Sequence, residues 1–262
     1  MRRLNQFAGP FILRRMKSEV LRELPPKTEN VRRVELETEQ RKLYLAAVVD
    51  AREKLRAAKP EDKMTVFAVL MRLREICCDP RLVADNWTGS SAKLEACLEL
   101  VTEAVAGGHR ILLFSQFTSM LELLAKRLDE AGVSHFTLQG STPKPVRAEQ
   151  VRRFNQGEAD VFLISLRAGG TGLNLTAADI VIHYDPWWNL AAQNQATDRA
   201  YRIGQRNPVQ VYRLIAQDTI EEKIVELQQA KQSLADTVTG GADGAILSMN
   251  PEQLLQLLGE EA

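Results

Sequence analysis

The run Gln195-Ala196-Thr197-Asp198-Arg199-Ala200-Tyr201-Arg202-Ile203-Gly204-Gln205 holds the residues best suited to chemistry. Arg199 and Arg202 stand three apart, a spacing that places two side chains on one face of a helix. A guanidinium is a permanently charged planar fork that suits a phosphate oxygen. Nowhere does the sequence read G-x-x-x-x-G-K-[ST], the loop that cradles phosphates. The chain therefore has arginines that can reach a phosphate but no loop to hold one. This implies half of a phosphate site, completed from elsewhere. The bland alternative is two solvated helix arginines paired with Asp198, the usual outcome for an arbitrary R-x-x-R, since surface charge pairs are common and weak.

Several other segments carry donors for a polyanion. Ser165-Leu166-Arg167-Ala168-Gly169-Gly170-Thr171-Gly172-Leu173-Asn174-Leu175 has three glycines within four residues. Backbone amides there can face outward and approach a ligand closely. A plain strand-end turn explains the same composition equally well, because a lone glycine-rich loop is a weak signal. Asp185-Pro186-Trp187-Trp188-Asn189 sets two tryptophans side by side, and an exposed one can stack on a base or wedge into a groove. Partial burial under a helix starting at Asn189 is the simpler account of either one. In Phe114-Ser115-Gln116-Phe117, a hydroxyl and an amide at a helix start can hold a backbone phosphate, or Ser115 or Thr118 caps that helix. Gly140-Ser141-Thr142-Pro143 repeats the arrangement, with Ser141 or Thr142 as cap and Pro143 in the first turn.

These loops need a scaffold, and the hydrophobic pattern supplies one. A strand is predicted around Val31–Leu36, helices over 39–59 and 61–77, and a loop over 85–91 (DNWTGSS) that marks the main domain boundary. Beyond it, helix and strand alternate. Helices are predicted over 91–106, 118–130, 143–156, 189–201 and 220–233, with strands over 111–114, 135–138, 161–164, 179–184 and 209–215. Short apolar strands between amphipathic helices imply an α/β fold with a parallel sheet covered on both faces. In such sheets the functional loops lie at the carboxyl ends of the strands. Residues 237–250 read as a flexible tail and 251–259 as a short terminal helix.

Composition narrows the function. The chain has 262 residues, 45% of them hydrophobic, enough for one sizeable core or a main domain with an added layer. Lys+Arg and Asp+Glu both number 34, so any nucleic-acid contact must be local rather than a wholesale basic surface. Residues 1–35 are the basic exception, with nine basic and four acidic side chains. Cys77, Cys78 and Cys97 are an odd, sparse set, expected as buried inert thiols in a reducing compartment. Adjacent cysteines and three scattered histidines (His109, His135, His183) give no zinc-ligand spacing, so no metal site is expected. No apolar run approaches the ~20 residues that span a bilayer. No signal-peptide pattern follows Met1, and a soluble protein of the cytoplasm or nucleoid is expected.

Taken together and in order, ILLFSQF, GSTP, ISLRAGGTGLNL, DPWWN and QATDRAYRIGQ resemble the second RecA-like lobe of the SWI/SNF-type ATPases, DNA-translocating members of helicase superfamily two. FILRR through LPPKT resembles the link between the lobes of that family, LREICCDP its helical insertion, and DTIEEKI its closing brace helix. The resemblance implies a linker over 1–36, an insertion over 37–88, the RecA-like lobe over 89–217, a brace over 218–236 and a tail over 237–262. It implies arginine fingers at Arg199 and Arg202, with Gln195 in the same catalytic cluster. Gly172 and Asn174 would border the nucleotide. Ser115, Gln116, Ser141, Thr142, Arg167, Gly169, Gly170 and Thr171 would track a DNA backbone, and Trp188 would probe the duplex. ATP and magnesium would be bound mainly by an N-terminal RecA-like lobe, which this chain lacks. The helical ending and acidic tail lead to the expectation that the absent lobe lies on the N-terminal side. Duplex DNA and that lobe are the implied partners; bare DNA, DNA-bound proteins and RNA polymerase are all compatible targets. The chain departs from the family at Tyr201 (usually His), Leu190 (usually Pro) and Ala92 (often Gly). The competing reading is a DNA- or protein-binding module with no ATP role. A small-molecule enzyme finds no support, for want of a nucleophile–base pair or a G-x-G-x-x-G fingerprint.

Overall fold

A computed structural model of the chain describes residues 24–166, 168, 172–235 and 249–259. Six strands form one parallel sheet: β1 (Lys27–Val34), β2 (Ile111–Ser115), β3 (His135–Leu138), β4 (Val161–Ser165), β5 (Ile180–His183) and β6 (Val209–Ala216). Their order across the sheet is β1-β6-β5-β2-β4-β3, every neighbouring pair parallel. Every residue of β2, β4 and β5 is buried, as expected for strands covered on both faces.

The period of two sorts these strands onto two cores. Ile111 and Leu113 pack on one side with α3 (Ala92–Ala106) and α4 (Thr118–Glu130) through Leu94, Val101, Leu121 and Leu124. Leu112 and Phe114 face the other side, against Phe154 of α5 (Lys144–Asn155) and Ala196 of α6 (Leu190–Thr197). A third core lies beyond the sheet. There α1 (Thr38–Ala57) and α2 (Lys63–Cys78) pair as a hairpin, α1 contributing the stripe Tyr44, Val48, Ala51 and Leu55. The apolar face of α2, Val66, Val69, Leu70, Leu73 and Ile76, is buried. Ile220 and Ile224 of α7 (Ile220–Ala235) join this core, as does Leu254 of α8 (Pro251–Leu257). Truncating one of its fully buried leucines to Ala should cost about 2–5 kcal/mol.

The chain ends of the described region are built into the fold. The stretch assigned to the linker supplies β1, which pairs with β6 over all eight residues from Lys27↔Val209 to Val34↔Ala216. Sequence marks it as charged and extended, and only the pairing shows that it belongs to the sheet. The short terminal helix expected over 251–259 is α8, started by a capping box between Asn250 and Gln253 and anchored by fully buried Leu254. The rest of the expected tail, 237–248 and 260–262, lies outside the described residues, as do linker residues 1–23.

One buried ion pair fastens the brace to the lobe. Lys93 Nζ meets both oxygens of Glu221, at 2.6 and 2.5 Å, and neither side chain has any exposure. Glu221 also accepts from Ala216 N–H at 2.8 Å, which turns β6 into α7. Cys77, Cys78 and Cys97 are free thiols with no exposed surface, as predicted.

Candidate phosphate and nucleic-acid interface

The helix predicted through Tyr201 stops at Thr197, so Arg199 and Arg202 do not share a helix face. They sit in the turn that follows. Thr197 Oγ1 lies 2.9 Å from His183 Nε2, and the Arg199 carbonyl accepts from Leu175 N–H at 3.1 Å. These bonds to the sheet and the glycine-rich loop outcompete another helical turn. Gln205 then staples the turn. Its amide donates to Ala178 O (2.7 Å) and Ala200 O (3.2 Å), and its Oε1 accepts from Arg206 and Asn207 N–H. The final Gln of the RIGQ run is thus a buried scaffold residue.

The turn still delivers both arginines to one place. Arg202 donates to Leu173 O at 3.2 Å, between candidate residues Gly172 and Asn174. Gly172 takes the left-handed conformation at φ +35, and the Asn174 carbonyl accepts from Asn155 at 2.8 Å. Arg199 is buried, and its Nε has no hydrogen-bond partner among the described residues. Asp198 lies close enough to Arg199 to act on its charge. Burial draws Arg199 below the usual guanidinium value and Arg202's charge adds to this, against Asp198. Two guanidinium groups whose charges act on each other beside one loop are chemically suited to an incoming anion. Gln195 is exposed on α6, two residues before its end.

A second cluster lies at the ends of β2 and β5. Ser115 is fully buried, and its hydroxyl donates to Asp185 Oδ1 at 2.6 Å. Gln116 N–H donates to the same oxygen at 3.1 Å. The cap of α4 is Phe117, without a side-chain bond, so neither Ser115 nor Thr118 caps it. The other side of this cluster is Arg74 of α2, also fully buried. It donates to Gln116 Oε1 (2.7 Å), Asp185 Oδ2 (3.0 Å) and Pro186 O (2.7 Å). Trp188 is half-buried, its ring 4.4 Å from the Arg74 guanidinium and tilted against Phe67. It packs on α2, not solely under α6.

Ser141 is exposed and Thr142 half-exposed beyond β3. Thr142 Oγ1 accepts from Gln139 N–H at 3.0 Å, closing a turn, and the cap of α5 is Pro143 with Pro145 in the first turn, in place of the predicted hydroxyl cap. Arg167, Gly169, Gly170 and Thr171 lie outside the described residues. The residues that sequence reasoning missed are Arg74, Asp185 and Gln205. The available signals were an arginine set between apolar Leu73 and Ile76 of one helix, and an aspartate directly ending an apolar strand.

Comparison with known proteins follows the same division. A family model described as the SNF2-related domain matches residues 1–82, and the Helicase conserved C-terminal domain matches 92–204. An uncharacterized ATP-dependent helicase of Mycoplasma pneumoniae is 39% identical over 255 residues, covering 97% of this chain and 25% of that protein. The mouse (Mus musculus) SWI/SNF-related matrix-associated actin-dependent regulator of chromatin subfamily A member 1 is 37% identical, covering 90% of this chain and 24% of that protein. The chain thus spans about a quarter of the length of these relatives. The Sulfolobus solfataricus SWI2/SNF2 ATPase core solved in complex with dsDNA superposes with a TM-score of 0.76 at 30% identity, covering all of this chain and 56% of that one. The sheet is therefore the RecA-like fold of these ATPase cores. A SNF2-related segment followed by the helicase C-terminal domain places this chain in the SWI/SNF-type family of ATP-dependent helicases.

Proposed function

We propose that this chain is the second motor lobe of a two-lobe ATPase that translocates on duplex DNA. The observation that carries the reading is the 198–202 turn. It brings Arg199 and Arg202 beside the 172–175 loop, with Arg199 buried and its Nε without a hydrogen-bond partner among the described residues. A buried guanidinium N–H left without a partner costs stability, which a phosphate arriving from outside would offset. ATP with Mg²⁺ supplies the phosphoryl group, held mainly by a lobe that carries a lysine loop. Arg199 and Arg202 then act as arginine fingers, Gln195 belongs to their cluster, and Gly172 and Asn174 border the nucleotide. An arginine finger offsets charge developing on the transferred group and is worth roughly 10³–10⁵ in turnover. Because the fingers come from a second lobe, turnover requires closure, and closure moves two DNA grips relative to each other. Gln116, Ser141, Thr142 and Trp188, with Arg167, Gly169, Gly170 and Thr171, form the grip on this side. Ser115 acts behind it through Asp185. The complex of the Sulfolobus relative with dsDNA supports duplex DNA as the track. A soluble protein working among DNA-bound proteins in the cytoplasm or nucleoid fits this role, and no helix among the described residues is long and apolar enough to cross a membrane.

The test is ATP turnover. The 262-residue chain alone should show none above background, with or without duplex DNA. Joined to a family lobe that carries the lysine loop, it should show DNA-stimulated turnover. Arg202→Ala should then lower that turnover by at least 10³-fold and leave DNA affinity nearly intact. Turnover by the isolated chain would overturn the half-site. Loss of DNA binding with turnover retained would favour a binding module with no ATP role.

A further inference from the structure

We propose that Arg74, in the helical insertion and outside the matched helicase segment, is a positioning residue that sets the pose of the two strand-end loops carrying Gln116 and Trp188. This rests on the reading of those loops as the DNA grip. One guanidinium bridges segments separated by about 70 residues: Gln116 after β2, and Asp185 and Pro186 after β5. Asp185 extends the bridge, since its other oxygen takes the Ser115 hydroxyl and the Gln116 N–H. The Gln116 side chain is held at both ends, its Oε1 by Arg74 and its Nε2 3.2 Å from Met71 Sδ, also on α2. The face of Arg74 lies over the Trp188 ring at 4.4 Å and the Phe117 ring at 5.4 Å.

Stability alone does not account for this choice. The neighbouring Leu70, Leu73 and Ile76 pack α2 with apolar contacts. A buried ion pair is rarely better than a hydrophobic replacement of equal volume, and its surer effect is geometric specification. Only the planar fork of arginine reaches an amide, a carboxylate and a carbonyl while its face covers an indole. The insertion thereby determines where the grip residues stand, and any shift of α2 reaches both loops together.

The experiment uses this chain with Trp188 as its sole tryptophan (W87F and W187F), comparing Arg74 with R74K. Lysine keeps the charge and loses the fork. R74K should shift Trp188 emission to the red and raise its quenching by acrylamide in the absence of DNA. Duplex affinity should fall about tenfold, with the slope of log K against log salt unchanged. Unchanged emission would overturn the proposal. A slope reduced by about one would also overturn it, because Arg74 would then itself touch a phosphate. If R74K does not fold, D185N, which removes the partner charge at nearly constant shape, takes its place with the emission, quenching and affinity readouts, and unchanged emission again overturns the proposal. Failure of the unsubstituted chain to bind duplex would sink the DNA reading, while the emission data would still decide the role of Arg74.

Discussion

Removing Lys93 should expose how the brace is held. In Lys93→Met, Glu221 keeps its bond from Ala216 N–H but loses its only cation within 4 Å among the described residues, at a site with no solvent exposure. Breaking a buried pair by removing one partner costs about 3–5 kcal/mol. Protonation of Glu221 offers the variant a way to relieve part of this cost. Burial already holds this carboxyl above its ordinary 4.5, with Lys93 as the main opposing influence. The sign follows. Without Lys93 the folded state binds the proton more tightly than the unfolded state, so the deficit is absent below about pH 4.5 and grows as pH rises toward the elevated folded value. Part of the loss should therefore return between pH 7 and pH 5. Urea unfolding followed by tryptophan emission, at both pH values and with equal m, measures this directly. Adding Glu221→Gln should abolish the pH dependence of the deficit. A loss below about 1 kcal/mol at pH 7, or a loss that pH does not change, would refute the account of the pair.

Two further titration results follow from burial. His183, fully buried against Thr197 and stacked on Phe114, is pulled down to about 3 by desolvation, with lesser repulsion from Arg213 and Lys27. Its neutral form therefore contributes stability above pH 6.5 that fades at about 1.4 kcal/mol per unit as pH falls toward 3; its ring protons should not titrate by NMR between pH 7 and 4.5, and a midpoint near 6.5 would contradict this. The three cysteines should resist a thiol reagent in the native state and react together on unfolding, since burial raises all three, Cys97 to about 12. Fast native labelling of any one would be the contrary result.

The sheet was readable because parallel strands covered on both faces must be short apolar runs. β2, β4 and β5 carry no polar residue before their last position, and β3 falls at 135–138 as predicted. α4 likewise spans the predicted 118–130. What misled was competition among hydrogen bonds. The pattern from Asn189 to Tyr201 suits a helix, and nothing local reveals that Leu175 claims the Arg199 carbonyl from 24 residues away. β1 was hidden for a related reason. An edge strand of charged residues needs no apolar face, so its place in the sheet is visible only through β6. The candidate site was legible as a set of loops but not as a network, because Arg74 and Asp185, 111 positions apart, acquire meaning only when the chain between them is folded.

The pairing of β1 with β6 has a mechanical side. Chain from residue 24 enters β1 at the amino ends of the strands, whereas the candidate grip loops lie at the carboxyl ends. A pull between the two runs along the strands. Hydrogen bonds between parallel strands are evenly spaced along the pair and span the gap between strands, so such a load falls on the whole eight-residue register at once, in shear, instead of peeling one rung after another. The entering segment is thus attached to the lobe like a lap joint, stiffest in the direction in which a motor would pull on it.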